Sequence, residues 1–193
     1  MTTVFIDVDT QLDFVFPAGA LYVPGAERIL PVVGRLNRWA AAHGVPVIST
    51  ADAHAENDSE FRTWPHHCVA GTLGQRKAEA TLVARPMVVP NRAGEWTIEG
   101  ARQIIVEKQS VDAFQAPNFA RVVERLEAER CVVYGVVTEV CVLHAVRGLL
   151  RMGKAVTVVT DAVETLRAQD GNRALEEACA GGAKLTRASE IVG

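Results

Sequence analysis

The chain alternates short apolar runs with longer stretches that have helical spacing. Val4-Phe5-Ile6 predicts a first strand. From Pro24 to His43, the residues Ile29, Leu30, Val33, Leu36 and Ala40 recur on one helical face, with Pro24 suited to the start and Gly44 to the stop. Val45-Pro46-Val47-Ile48 predicts a second strand, Ile104-Ile105-Val106 a third and Val132-Val133-Tyr134-Gly135-Val136 a fourth. Residues 155–159 predict a fifth strand and residues 183–186 a short sixth, with further helices over 118–129, 140–152 and 172–180.

These strands are continuous apolar runs, which suits strands covered on both faces. Strand and helix in alternation predict right-handed crossovers and a three-layer α/β/α doubly wound fold, with a mainly parallel sheet of about six strands. Chemistry in such folds gathers at the carboxyl ends of the strands. The stretch at about 52–103 breaks the rhythm, because it far exceeds the usual connection of ~4–6 residues. It holds three of the five histidines and reads as a metal-binding or lid loop that builds the site. Residues 1–193 are expected to form one domain.

Composition narrows the function. Twenty Lys and Arg against 23 Asp and Glu leave a net charge of −3, and no basic run favours a nucleic-acid partner. No apolar run approaches the ~20 residues of a membrane span, and the start has no signal-peptide core. A cytoplasmic location is expected. Cys68, Cys131, Cys141 and Cys179 show no CxxC spacing and should be free thiols.

The strand ends carry the candidate chemistry. The first strand runs into Asp7-Val8-Asp9, the third into Glu107-Lys108, and the fourth through Gly135 to Cys141 at the start of a helix. A carboxylate, an ammonium and a thiol on one sheet edge can activate a nucleophile: positive charge favours the thiolate and the carboxylate takes its proton. Taken singly, each group has an ordinary reading as a packed thiol or a solvated strand end. Asp52-x-His54 and Trp64-Pro65-His66-His67-Cys68 supply a second set, suited to a divalent transition metal such as Zn²⁺, Mn²⁺ or Fe²⁺, although without context it reads first as a solvated loop. Asp58 and Glu60 are further candidate ligands from the same loop.

Taken together these residues resemble the isochorismatase-like cysteine hydrolases, and within them the nicotinamidase branch. Asp9-Thr-Gln11-Leu-Asp13-Phe14 resembles the opening motif, Lys108 stands in the family's lysine place, and Gly135-Val-Val-Thr-Glu-Val-Cys141-Val resembles the nucleophile motif. The resemblance implies a catalytic triad of Asp9, Lys108 and Cys141. It also implies a cis peptide between Val136 and Val137, and an oxyanion hole made by the amides of Val137 and Cys141. It places a divalent metal, zinc ahead of manganese or iron, on Asp52, His54 and His67, with Asp58 as a further ligand. Phe14 and Trp64 are implied to stack on a planar substrate. Three departures stand out: Asp58 is nearest to where the branch supplies another histidine, Glu139 stands where Asp is commoner, and the segment after Lys108 is shorter.

The implied activity is hydrolysis of a small carboxamide to acid and ammonia through a cysteine thioester, as in nicotinamide to nicotinate. The alternative within the family is a ureido, carbamoyl or aliphatic amide hydrolase with the same triad. A metal-bound-water hydrolase and a catalytically silent binding protein rank lower. The resemblance implies a homodimer or homotetramer acting on a small molecule, not on nucleic acid or membrane.

Overall fold

The computed structural model describes residues 1–192. Seven strands, β1 (Thr3–Val8), β2 (Val47–Asp52), β3 (Met87–Val89), β4 (Gln103–Lys108), β5 (Arg130–Gly135), β6 (Ala155–Val163) and β7 (Lys184–Thr186), form one sheet in the order β3-β4-β2-β1-β5-β6-β7. Every pairing is parallel. The count exceeds the expected six by β3, an edge strand inside the 52–103 excursion. Its three residues lie between Pro86 and Pro90 and are too few to carry a period.

Among the described residues five α-helices accompany the sheet: α1 (Leu12–Val15), α2 (Leu30–Ala42), α3 (Phe119–Arg125), α4 (Leu143–Arg151) and α5 (Ala168–Ala180). The helix expected from Pro24 begins later. Gly25 adopts φ 90°, a 3₁₀ turn covers Ala26–Ile29, and α-geometry starts at Leu30 with Pro31 in its first turn. The helix expected over 140–152 opens instead with a π-helical turn at Thr138–Val142, and only then becomes α4. Helix α5 starts four residues before the periodic signal at 172, and α3 ends four residues before its predicted span does.

The strand runs are continuous because both sheet faces are buried. Val4, Ile6 and Val8 of β1 pack with Phe119 and Val122 of α3, Leu149 of α4 and Ala178 of α5. Phe5 points the other way, among Val33, Leu36 and Ala40 of α2. Full burial of such side chains stabilises by roughly 1.5–3 kcal/mol each. Among the described residues no helix is long and apolar enough to cross a membrane.

One charged pair lies within the α2 side of this core. Asp7 is fully buried and forms an ion pair with Lys77 Nζ at 3.2 Å. It also accepts hydrogen bonds from Thr10 Oγ1, Asn37 Nδ2 and Ser49 Oγ. Lys77 belongs to the long excursion and donates as well to the Thr50 carbonyl, so the pair pins that segment to the sheet. Lys77→Ala leaves the Asp7 carboxylate buried without its countercharge and should cost about 3–5 kcal/mol in urea unfolding. A loss under ~1 kcal/mol, the range of an exposed pair, would show that the pair does not anchor the excursion.

Candidate active site

Four strand ends meet at one edge of the sheet. Asp9 follows β1, Asp52 ends β2, Lys108 ends β4, and Cys141 lies in the π-helical turn after β5. The register of β2 against β4 sets Asp52 directly beside Lys108. The ammonium of Lys108 lies 2.9 Å from Asp9 Oδ2 and 2.5 Å from Asp52 Oδ1, and donates to the Ser110 carbonyl at 3.0 Å. The Cys141 sulfur is 3.8 Å from the same nitrogen.

Neighbouring groups fix each carboxylate. Asp9 sits at φ 49°, and its Oδ1 accepts the Thr50 hydroxyl at 2.6 Å while its own N–H donates back to Thr50 Oγ1. Its Oδ2 has no hydrogen-bond partner beyond the Lys108 ion pair. Gln11 holds the backbone of Asp52 from both sides, accepting its N–H and donating to its carbonyl. Asp13 orders the loops nearby, accepting the N–H groups of Ala20 and Cys68. The peptide between Val136 and Val137 is cis.

Burial and charge set the resting protonation. Burial raises the Asp9 pKa, with Lys108 opposing. Burial also opposes ionisation of Asp52, but the ammonium of Lys108 and the imidazoles of His54 and His67 beside it outweigh that and hold the carboxyl far below the ordinary range. For Lys108, burial disfavours the charge, yet the carboxylates of Asp52 and Asp9 raise its pKa well above normal. Burial pushes the Cys141 thiol up strongly, against the pull of Lys108. A neutral thiol thus stands beside a carboxyl whose ionisation burial opposes, and beside a fixed cation.

Beside this group, Asp52, His54 and His67 present ligand atoms that all lie within 4.8 Å of one another. Asp52 Oδ2 is 3.8 Å from Nε2 of each histidine. The residues fit a metal ion on two counts. His54 Nε2 is buried with no hydrogen-bond partner, and both histidines have their other nitrogen occupied outside the cluster. His54 Nδ1 is held by Asp58 at 3.0 Å and His67 Nδ1 by the Pro65 carbonyl at 2.7 Å. This is the outer hydrogen bonding that orients metal-binding imidazoles.

Asp58 therefore departs from its expected place as a ligand. It caps the 3₁₀ turn at Ser59–Arg62 through the Glu60 N–H and turns its other oxygen onto His54. Glu60 lies outside the cluster as well. It lines the pocket, where burial raises its pKa.

The pocket above Cys141 has a volume of about 450 Å³, open mouth included. Phe14, Trp64 and His67 line it from the first half of the chain, and Val137, Val140 and Leu166 from the second. Phe14 packs on His67 with ring centroids 5.3 Å apart. His66 faces away and stacks on Phe61 at 4.2 Å, and His144 is not among the lining residues. Cys68 and Cys131 are buried, their pKa values raised chiefly by burial, while Cys179 is exposed. Leu21, Val111 and Leu166 carry no chemical signal in the sequence, since each is an apolar residue in a loop.

The isochorismatase domain model matches residues 3–190. The chain belongs to the isochorismatase family. It is 29% identical to the nicotinamidase of Escherichia coli K12, over 92% of this chain and 91% of that protein. It is 26% identical to an N-carbamoylsarcosine amidase of Arthrobacter, over 77% of this chain and 54% of that protein. Among solved structures, a pyrazinamidase of Pyrococcus horikoshii in complex with zinc superposes with TM-score 0.82 at 30% identity, covering 97% of this chain and 99% of that one. A nicotinamidase of Bacillus subtilis shares the fold at TM-score 0.84 and 21% identity, over 97% and 100% of the two chains. These relatives support an amidohydrolase of the isochorismatase family acting on a small amide.

The position of Asp58 yields a metal-affinity test. Asp58→Ala frees His54 Nδ1 and should weaken Zn²⁺ binding about 10–100-fold in competition with a chromogenic chelator. Unchanged affinity would mean that Asp58 only caps its turn.

Proposed function

We propose that this protein is a cysteine amidohydrolase of the nicotinamidase type, cleaving a small planar carboxamide to its acid and ammonia. The observation that carries the reading is the contact of Lys108 with both Asp9 and Cys141 at the foot of an aromatic pocket. The 29% identity to a nicotinamidase along nearly the whole chain supports it.

The triad is Asp9, Lys108 and Cys141. Asp9 Oδ2, the oxygen left free by Thr50, takes the thiol proton, and Lys108 stabilises the thiolate so formed. The sulfur attacks the carboxamide carbon. The developing oxyanion is held by the backbone N–H groups of Val137 and Cys141. The Asp9 carboxyl then passes its proton to the departing nitrogen, and ammonia leaves a thioester on Cys141. Asp9 next takes a proton from water as that water attacks the thioester, releasing the acid and restoring the thiol.

Phe14 and Trp64 bind the ring between flat faces. Asp52, His54 and His67 would hold a divalent ion, zinc in preference to manganese or iron, with Asp58 orienting His54. Such an ion supplies a Lewis-acid anchor for a ring nitrogen or for a water bonded to it. The zinc in the Pyrococcus relative supports this choice. The same reading makes the protein a single-domain cytoplasmic enzyme, assembled as a homodimer or homotetramer, with no nucleic-acid or membrane partner.

A second reading, hydrolysis of a ureido or carbamoyl compound by the same triad, draws on the N-carbamoylsarcosine amidase relative. Ammonia release from nicotinamide, benzamide and N-carbamoylsarcosine separates the two. Nicotinamide should exceed benzamide by about ten- to two-hundredfold in kcat/KM, the range of a good pocket contact. Cys141→Ala should abolish turnover. Turnover of the carbamoyl compound alone would replace the first reading by the second, and full activity in Cys141→Ala would remove the triad.

A further inference from the structure

The connection between β6 and α5, residues 164–167, has no part in the chemistry above, yet it is tied closely to the turn that carries Cys141. Thr138 donates both its N–H and its hydroxyl to the Glu164 carbonyl, at 2.8 and 2.7 Å. The Glu164 N–H returns to the Gly135 carbonyl. Glu139, two residues before Cys141, spends its whole carboxylate on the same connection. One oxygen accepts the Leu166 and Arg167 N–H groups at 3.0 and 3.3 Å, and the other accepts the Thr165 hydroxyl at 2.6 Å. Leu166, held by the centre of this set, keeps 38% of its surface exposed and lines the pocket with Phe14 and Trp64.

An exposed leucine on so firmly bonded a backbone calls for a reason. Hydrogen bonds to an ionised acceptor are stronger than neutral ones, so Glu139 makes the connection rigid. A rigid backbone leaves the Leu166 side chain little room to yield to a bulky ligand.

We propose that residues 164–167 form a strap over the pocket, in which Leu166 determines specificity by excluding bulky or N-substituted amides and Glu139 is the residue that positions it. The Glu139 side chain is long enough to reach three donors on the strap. The inference rests on the proposed nucleophile Cys141 and adds which amides can reach it.

The test reads access to Cys141 independently of turnover. Full-length protein is labelled with iodoacetamide and with N-benzyliodoacetamide, and the rate at Cys141 is followed by peptide mass spectrometry. The ratio of the bulky to the small reagent is compared, because altered thiol reactivity affects both alike. The ratio should rise about tenfold or more in Leu166→Ala, as expected when a steric pocket contact is removed, and fall in Leu166→Trp. Glu139→Ala should raise it too, with Glu139→Asp in between. A ratio equal in all variants overturns the strap while leaving the nucleophile in place. Failure of either reagent to label Cys141 in the unmodified protein, with Cys179 labelled, overturns the proposed function and the strap with it.

Discussion

Taking an ammonium out of water costs several kcal/mol, and Lys108 is buried with 1% of its side chain exposed. Its ammonium donates to Asp52, to the Ser110 carbonyl and to the Cys141 sulfur, and forms an ion pair with Asp9. That arrangement joins the two halves of the site. Asp9 belongs to the thiol and Asp52 to the histidine cluster, and one cation fixes both. A divalent ion held by Asp52, His54 and His67 would lie on the far side of Asp52 from this ammonium. Removing Lys108 would leave both carboxylates uncompensated, so the lysine serves the fold of the strand ends as much as the chemistry.

The sheet makes this meeting possible. Strands β4, β2, β1 and β5 are consecutive neighbours and all parallel, so their carboxyl ends form one edge. Local devices then aim each group. Gly135, at φ 119°, lies so close to Val8 that a Cβ would come 2.1 Å from the Val8 carbonyl, which lets β5 leave the sheet into the Cys141 turn. Thr50 donates to one oxygen of Asp9, and the other faces the Lys108 ammonium. Gln11 fixes the Asp52 backbone rather than its side chain, so the carboxylate remains free to bridge Lys108 and the histidines.

Sequence reading succeeded where chemistry adjoins an apolar run. Val4-Phe5-Ile6 before Asp9, and Ile104-Ile105-Val106 before Lys108, locate a sheet edge and the groups that stand on it. It was weaker where geometry depends on loop shape. Asp58 and His54 differ by four positions, and their spacing alone does not tell a ligand from the partner of a ligand. Strand β3 is too short for a period, and the π-helical turn at Cys141 has the same apolar spacing as the helix it precedes. Leu166 and Thr50 were illegible for another reason. Their importance lies in what they touch across 41 residues for Thr50 and Asp9, and 27 for Leu166 and Glu139.

The pocket shows how such a site divides its labour. Its floor is the cluster of buried charges, whose every member has partners that a substitution would strand. Part of its wall is loop: Trp64 from the long excursion, Val111 after β4, and Leu166 from the connection before α5. A change in a wall alters which substrate fits without disturbing the charges below. Glu139 is the point where the two layers touch. It lies on the turn that carries the thiol and holds the backbone of a wall residue, so it couples the shape of the pocket to the position of the group proposed to react.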